Sequence, residues 1–128
     1  SIKIKLKAIK SAEIVGESNQ LQQMFKNIID NSIKYAEKKS LLLIELKNFK
    51  NNSFILTFKD KGKGIPNSLI PRLTERFYRV PNVKVKNIEG TGLGLAIVKH
   101  IVMRHGAKFK MSSILGQGTT TTIIFKRK

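Results

Sequence analysis

The chain has 128 residues, 41% of them apolar, with Phe as the main aromatic and no Trp; that is one domain, long enough to close a core. It has no cysteine, which excludes a disulfide framework and a thiolate metal site, and no apolar run has the length of a membrane span or the pattern of a signal peptide. The formal charge of +17 comes from Lys far more than Arg and is scattered along the chain. The interleaved aromatics or basic recognition helix of a nucleic-acid binder are missing, so no nucleic acid is expected as a partner, although the field draws anionic ligands and acidic surfaces.

Ile2, Ile4, Leu6 and Ala8 alternate with Lys3, Lys5 and Lys7, which predicts a half-buried strand whose lysine face protects a sheet edge. Ser18 or Asn19 can cap a helix over about residues 20–36, with Leu21, Met24, Phe25, Ile28, Ile29, Ile33 and Ala36 as its apolar stripe. Strands over 41–47 and 53–60 follow, joined as a hairpin at Lys50-Asn51-Asn52. A short helix near 67–73 and an irregular stretch to Glu89 lead to a helix over 93–105, stopped by Gly106. Strands over 108–113 and 119–126 close the chain around Leu115-Gly116-Gln117-Gly118. With no internal repeat or linker, the expected fold is α/β (α+β): a two-layer sandwich of one mixed, largely antiparallel sheet with helices on one face.

Four constellations carry chemistry. In Glu89-Gly90-Thr91-Gly92-Leu93-Gly94-Leu95, glycines without side-chain bulk lead into a helix. Backbone amides there can approach a phosphate, although a glycine run can equally serve a tight turn. Asn27, Asn31 and Lys34 stand at i, i+4 and i+7, one polar stripe beside the apolar one. Amide oxygens suit Mg²⁺, and a lysine one turn on can meet phosphates; a solvated helix flank has the same composition. Asp60 ends an apolar strand just before Gly62 and Gly64. A carboxylate so placed can accept a hydrogen bond from an exocyclic amine such as adenine N6, while an ordinary Asp-x-Gly turn looks the same. Last, Glu75-Arg76-Phe77-Tyr78-Arg79 precedes a polar stretch from Pro81 to Glu89, as a lid carrying an arginine to a terminal phosphate would, or a packed aromatic loop.

Taken in order, these segments resemble the ATP-binding catalytic domain of bacterial sensor histidine kinases, of the Bergerat (GHKL) fold, and most of all the phosphate-regulon type. Asn27-Ile28-Ile29-Asp30-Asn31-Ser32-Ile33-Lys34-Tyr35 is similar to the N box, and Asp60-Lys61-Gly62-Lys63-Gly64 to the first glycine box. Glu75-Arg76-Phe77-Tyr78-Arg79 is similar to the F box, Gly90-Thr91-Gly92-Leu93-Gly94-Leu95 to the second glycine box, and Gly116-Gln117-Gly118-Thr119 to the last glycine motif. Five motifs in family order span nearly the whole chain.

The resemblance implies ATP and Mg²⁺ as cofactors and a left-handed-crossover sandwich shared with gyrase-, chaperone- and mismatch-repair-type ATPases. Asn31 would ligate Mg²⁺ with Asn27 nearby in the same region. Lys34 would contact phosphate, Tyr35 would stack near the nucleotide, and Asp60 would read adenine N6. Gly62, Gly64 and Ile65 would line the nucleotide, Arg79 would reach the γ-phosphate, and Gly90, Thr91, Gly92, Leu93 and Gly94 would form the phosphate loop. Asn27, Lys34 and Arg79 would be the catalytic set. One departure is Pro81, where the family usually has an acidic residue; the other is a short, basic lid between Val80 and Gly90.

The related ATPases place a glutamate at the position of Asn27 to activate water. An amide cannot take that proton, so Asn27 favours transfer to another nucleophile over hydrolysis. The family's acceptor histidine, followed by an acidic residue, matches neither His100 nor His105. His100 is expected to decorate its helix and His105 to present partial positive charge to the helix end. The expectation is therefore a kinase catalytic domain, residues 1–128 of a longer chain, which begins Ser1-Ile2-Lys3 without an initiator Met and does not phosphorylate itself. Implied partners are the dimerisation domain with the phosphoacceptor histidine and a response-regulator receiver domain, within a homodimeric kinase. This domain would be cytoplasmic, in a full-length protein that can be anchored in the bacterial inner membrane. The competing readings are a stand-alone ATPase of the same fold and a basic binding module with a degenerate pocket.

Overall fold

A computed structural model describes residues 3–35, 40–75 and 94–128. Five strands form one mixed sheet: β1 (Lys3–Ala8), β2 (Leu41–Phe49), β3 (Ser53–Lys59), β4 (Lys108–Ile114) and β5 (Gly118–Lys126). Their order is β1-β2-β3-β5-β4, with β1 parallel to β2 and every other pair antiparallel. Helices α1 (Ser18–Tyr35) and α2 (Gly94–Arg104) pack against each other on one face, with a 3-10 segment Asn67–Arg72 beside β4. The two-layer mixed sheet expected from the patterning is the fold observed.

Alternation along the strands explains the layering. Leu42 and Ile44 of β2, Phe54, Leu56 and Phe58 of β3, and Ile123 and Phe125 of β5 are buried toward the helices. There they meet Met24 and Ile28 of α1 and Leu95, Val98, Ile101 and Val102 of α2. Each such side chain fully removed from water contributes about 1.5–3 kcal/mol. The β2–β3 turn has Asn51 and Asn52 at φ 59 and 56, the doubly left-handed turn that matches strand twist and that asparagine tolerates.

Two expectations need correction. Strand β1 is an edge strand, but it is not half-buried: all six residues are exposed, Ile4 at 53% and Leu6 at 67%. Their register places them on the helix side beside Leu42 and Ile44. The helices, however, centre on each other and on β3 and β4, so their cover stops short of the edge. On α1, Phe25 and Ile33 are exposed at 37% and 36%, while Ser32 is buried. The stripe is narrower than periodicity predicts, because α1 has α2 and one side of the sheet to pack on and nothing described on its outer flank.

Helix ends follow local chemistry. The Leu21 N–H already bonds the Glu17 carbonyl at 3.0 Å, so the helix starts at Ser18, earlier than either expected cap would allow. His105 accounts for this. Its Nε2 accepts the Glu17 N–H at 3.0 Å, while Nδ1 lies 2.8 Å from the Ile101 carbonyl. That arrangement requires the neutral ring with its proton on Nδ1. His105 is therefore a clamp between the start of α1 and the end of α2, and its Nδ1–H also presents the expected partial positive charge to a carbonyl in the last turn of α2. Gly106, at φ 63, ends α2 with its N–H on Met103 O and the Ala107 N–H on Val102 O, the paired bonds of a Schellman stop.

Candidate functional site

Strand β3, the central strand of the sheet, ends at Lys59 and delivers Asp60 just past its C-terminal end, half-buried. Its Oδ1 accepts two backbone N–H bonds, from Gly62 at 3.1 Å and from Thr119 at 3.2 Å, and the Asp60 N–H donates to the Thr119 carbonyl at 3.0 Å. Both side-chain bonds converge on Oδ1, which leaves Oδ2 for an incoming donor. Desolvation by burial pushes the carboxyl above its ordinary value of 3.8, against the two backbone N–H groups, which favour the anion. An acid kept partly desolvated and half-satisfied is poised to gain from a ligand's hydrogen bond.

The loop after Asp60 is locked to the β4–β5 hairpin. The Ser113 hydroxyl accepts from the Ile65 N–H at 2.7 Å, donates to Gly118 O at 3.0 Å, and lies 2.9 Å from Thr119 Oγ1. Gly116 N–H reaches Lys63 O at 2.7 Å. Two glycines of the motifs have packing reasons of their own. A Cβ at Gly64, φ +77, would collide with the Ile114 backbone carbonyl, and one at Gly118, φ +130, with the Asp60 carbonyl. Gly64 thus serves backbone-to-backbone approach within the protein. Ile65 is buried in the core at 2% exposure, so its N–H, and not its side chain, ties it to this site.

Sequence reasoning missed Ser113 and the role of Thr119. A hydroxyl at a helix-facing position of β4, where Phe109 and Met111 also point inward, was the available signal, since a buried polar side chain must find partners.

On α1, Asn27, Asn31 and Lys34 are half-buried on the flank. Asn27 Nδ2 donates to the Gly94 carbonyl at 3.4 Å, which joins the asparagine helix to the start of the glycine-led one across 67 positions. With its nitrogen engaged there, the Asn27 oxygen remains an acceptor, as a magnesium ligand must be. Asp30, beside them in sequence, is exposed and paired with Lys26 at 2.8 Å. A Cβ at Gly94 would meet nothing within 4 Å among the described residues. Arg79, Gly90, Thr91, Gly92 and Leu93 lie outside the described residues, as do Phe77, Tyr78 and Pro81 and the side chain of Tyr35. An apolar groove between the 3-10 segment, α2 and β4, lined by Ile70, Pro71, Val102, Met103 and Phe109, includes none of the expected site residues.

Residues 16–128 match the family model described as histidine kinase-, DNA gyrase B- and HSP90-like ATPase. The chain belongs to that family. Among curated relatives of this HATPase family, it is 38% identical over 123 residues to the phosphate regulon sensor protein PhoR of Pseudomonas aeruginosa, covering 96% of this chain and 28% of that protein. It is 34% identical over 113 residues to the sensor histidine kinase WalK of Bacillus subtilis, covering 88% and 18%. The chain thus spans about a quarter or less of these relatives. Among solved structures, the mycobacterial sensor histidine kinase MprB superposes with a TM-score of 0.84 at 26% identity, over 99% of this chain and 84% of that one. Full-length ShkA in complex with AMPPNP shares the fold, with a TM-score of 0.81 at 23% identity over 98% and 26%.

Among the described residues no helix is long and apolar enough to cross a membrane.

Proposed function

We propose that this domain binds ATP with Mg²⁺ and passes the γ-phosphoryl group to a histidine on a separate dimerisation domain of a two-component sensor kinase. The observation that carries nucleotide binding is Asp60, a half-buried carboxylate at a strand end, with Oδ1 saturated by Gly62 and Thr119 and Oδ2 left to accept a donor such as adenine N6. The observation that favours transfer over hydrolysis is the amide at Asn27, which is fixed to Gly94 and has no basic atom with which to deprotonate water.

The donor set fits a hard divalent ion. No cluster of three His, Cys, Asp or Glu among the described residues could hold a metal, whereas Mg²⁺ keeps most of its waters and is shared with substrate phosphates. Asn31, with Asn27, would hold it through amide oxygens, and bound there it would neutralise phosphate charge. Lys34 on the same flank would orient the phosphates. Arg79 would bring a second cation to the γ-phosphate, and Gly90, Thr91, Gly92 and Leu93 would present backbone N–H groups ahead of α2. Tyr35 would stack beside the nucleotide. Positioning and charge neutralisation are what such a transfer demands of a protein. The imidazole nitrogen of the acceptor attacks phosphorus, the bond to the β-phosphate oxygen breaks, and ADP leaves.

The domain spans residues 1–128 in this reading and acts within a homodimeric kinase. Its partners are the dimerisation domain and, downstream, a response-regulator receiver. The domain itself lies in the cytoplasm, in a full-length protein that can be anchored in the inner membrane. The test mixes the chain with a separately prepared dimerisation hairpin carrying the acceptor histidine and ATP labelled in the γ-phosphate. Label on the hairpin supports the kinase. Brisk hydrolysis with no label transferred supports the stand-alone ATPase, and no nucleotide binding at all supports a degenerate module.

A further inference from the structure

The sheet has a second face, turned away from the helices, and its charge is one-sided. Strand alternation puts Lys3, Lys5 and Lys7 of β1, Lys47 of β2, Lys59 of β3, Lys126 of β5, and Lys108 and Lys110 of β4 on that face. All eight are exposed. The registers set them in rows. Lys5, Leu43, Lys59, Thr120 and Ser112 form one; Lys7, Glu45, Thr57, Thr122 and Lys110 the next; Lys47, Ile55, Ile124 and Lys108 a third. Lysines thus stand on both outer strands, with Lys59 and Lys126 between them among apolar and hydroxyl side chains. Glu45 is the single acidic residue among the outward strand positions, and Lys47 already lies 3.7 Å from it. The helix-side positions of the same strands carry no charge at all.

We propose that this outward sheet face is a docking surface for an anionic lipid bilayer. Charge complementarity selects an anionic partner, and the geometry selects its form. Five strands about 4.8 Å apart make a platform roughly 20 Å across. The charges are lysine ammonium groups on flexible stems, which meet phosphates in any orientation; the planar arginine fork that reads a fixed phosphate or carboxylate is missing from the strand positions of this face. A protein partner would be expected to find Trp, Tyr or Arg anchors, and single-stranded nucleic acid a row of stacking aromatics. Among the strand positions of this face the only aromatic is Phe49, at one corner and 36% exposed, while Ile114 at the opposite edge is 60% exposed. Those two suit shallow contact at a headgroup boundary. Docked in this way, the domain turns its helix layer, with Asn27 and Asn31, away from the lipid.

The test is co-sedimentation with vesicles of phosphatidylcholine alone and of three parts phosphatidylcholine to one part phosphatidylglycerol. Binding is expected only to the second and should fall with added salt. A lysine near an anionic surface is worth about fivefold in partitioning, so Lys7→Glu, Lys47→Glu and Lys108→Glu together should lose roughly a hundredfold or more. Lys26→Glu, Lys99→Glu and Arg104→Glu, which change net charge equally on the helix layer, should lose far less. Should the reversed-charge face disturb folding, read by circular dichroism, Lys→Gln at the same three positions replaces it, with a smaller loss expected. No binding to the anionic vesicles overturns the proposal, as do equal losses in the two triple variants. Tighter binding to duplex DNA than to vesicles, through the same three lysines, would make the face a nucleic-acid surface instead.

Discussion

The Asn27 side chain donates to the Gly94 carbonyl, so the residue that separates the kinase reading from the ATPase reading also braces the first turn of α2. The two tasks use different atoms. The nitrogen is structural, and in the proposed function the oxygen would accept a cation.

Asn27→Ala should therefore lower stability by about 0.5–1.5 kcal/mol, the net worth of one hydrogen bond, measured by urea denaturation without nucleotide. The bond is long at 3.4 Å, which points to the low end. A wild-type denaturation midpoint in the variant would show that the tether carries no weight.

Asp60 makes a prediction with a sign. Burial raises its folded pKa above 3.8, so the fold holds the proton more tightly than the unfolded chain does. The ionised form costs stability at neutral pH; that cost fades as pH falls through the raised pKa and is gone below the unfolded value. Asp60→Asn keeps an oxygen for Gly62 and Thr119 but puts an amide nitrogen where Oδ2 was. The nucleotide-free variant should melt higher than the parent at pH 7 and no higher near pH 3. Its NH₂ would face the adenine amine, donor against donor, so ATP affinity should fall by about 1–3 kcal/mol, the scale of a hydrogen bond to a charged group. Unchanged ATP affinity by calorimetry would remove Asp60 from the base-reading role.

Much of this site was legible beforehand, and the physical reasons divide cleanly. Asp60 and Gly62 lie in a short segment whose composition announces a turn, and the Gly62 N–H does bond Asp60 Oδ1 there, whereas the partnership of Asp60 with Thr119 joins segments 59 positions apart. Phe25 and Ile33 misled, because helical periodicity reports which side can be buried while the extent of burial depends on how far α2 and the sheet reach. Ile4 and Leu6 misled for the same reason at the sheet edge. The clamp of His105 on Glu17 spans 88 positions, and nothing local in either segment encodes it.

That clamp should be measurable. His105→Ala removes the acceptor for the Glu17 N–H and the contact with Ile101 O. A loss of roughly 1–2 kcal/mol is expected from two hydrogen bonds that are partly exposed, with faster amide exchange concentrated at Glu17 and the first turn of α1. Gly16→Ala should act on the same joint, since its Cβ would come within 2.7 Å of the His105 ring. Exchange that rises evenly over the whole domain would mean that His105 holds no particular element.

The motif glycines should divide into two classes. Gly64→Ala and Gly118→Ala place a Cβ against backbone carbonyls at positive φ, so both should lower stability by about 1–3 kcal/mol, the range for strained backbone. Gly94→Ala meets nothing described within 4 Å and adds helix propensity, so it should be neutral or stabilising by up to about 1 kcal/mol. Any loss of ATP binding in Gly94→Ala would then be a direct effect on the ligand. Equal destabilisation by all three would refute the division.

The last prediction concerns Asn27 as a chemical choice. The isolated chain should hydrolyse ATP barely above background, because an amide cannot accept a proton from water. Asn27→Glu supplies the carboxylate at the cost of the donor to Gly94, so the variant should be less stable by about 1 kcal/mol and yet hydrolyse faster, by about a hundredfold where a positioned base acts at the lower end of its usual effect. Transfer to an acceptor hairpin should fall in the same variant, since a second anion beside the phosphates works against the charge neutralisation that Lys34 and Arg79 would provide. Phosphate release and label transfer, followed side by side, read both consequences. A variant that gains no hydrolysis while still binding ATP would show that Asn27 does not stand where an attacking water could be reached.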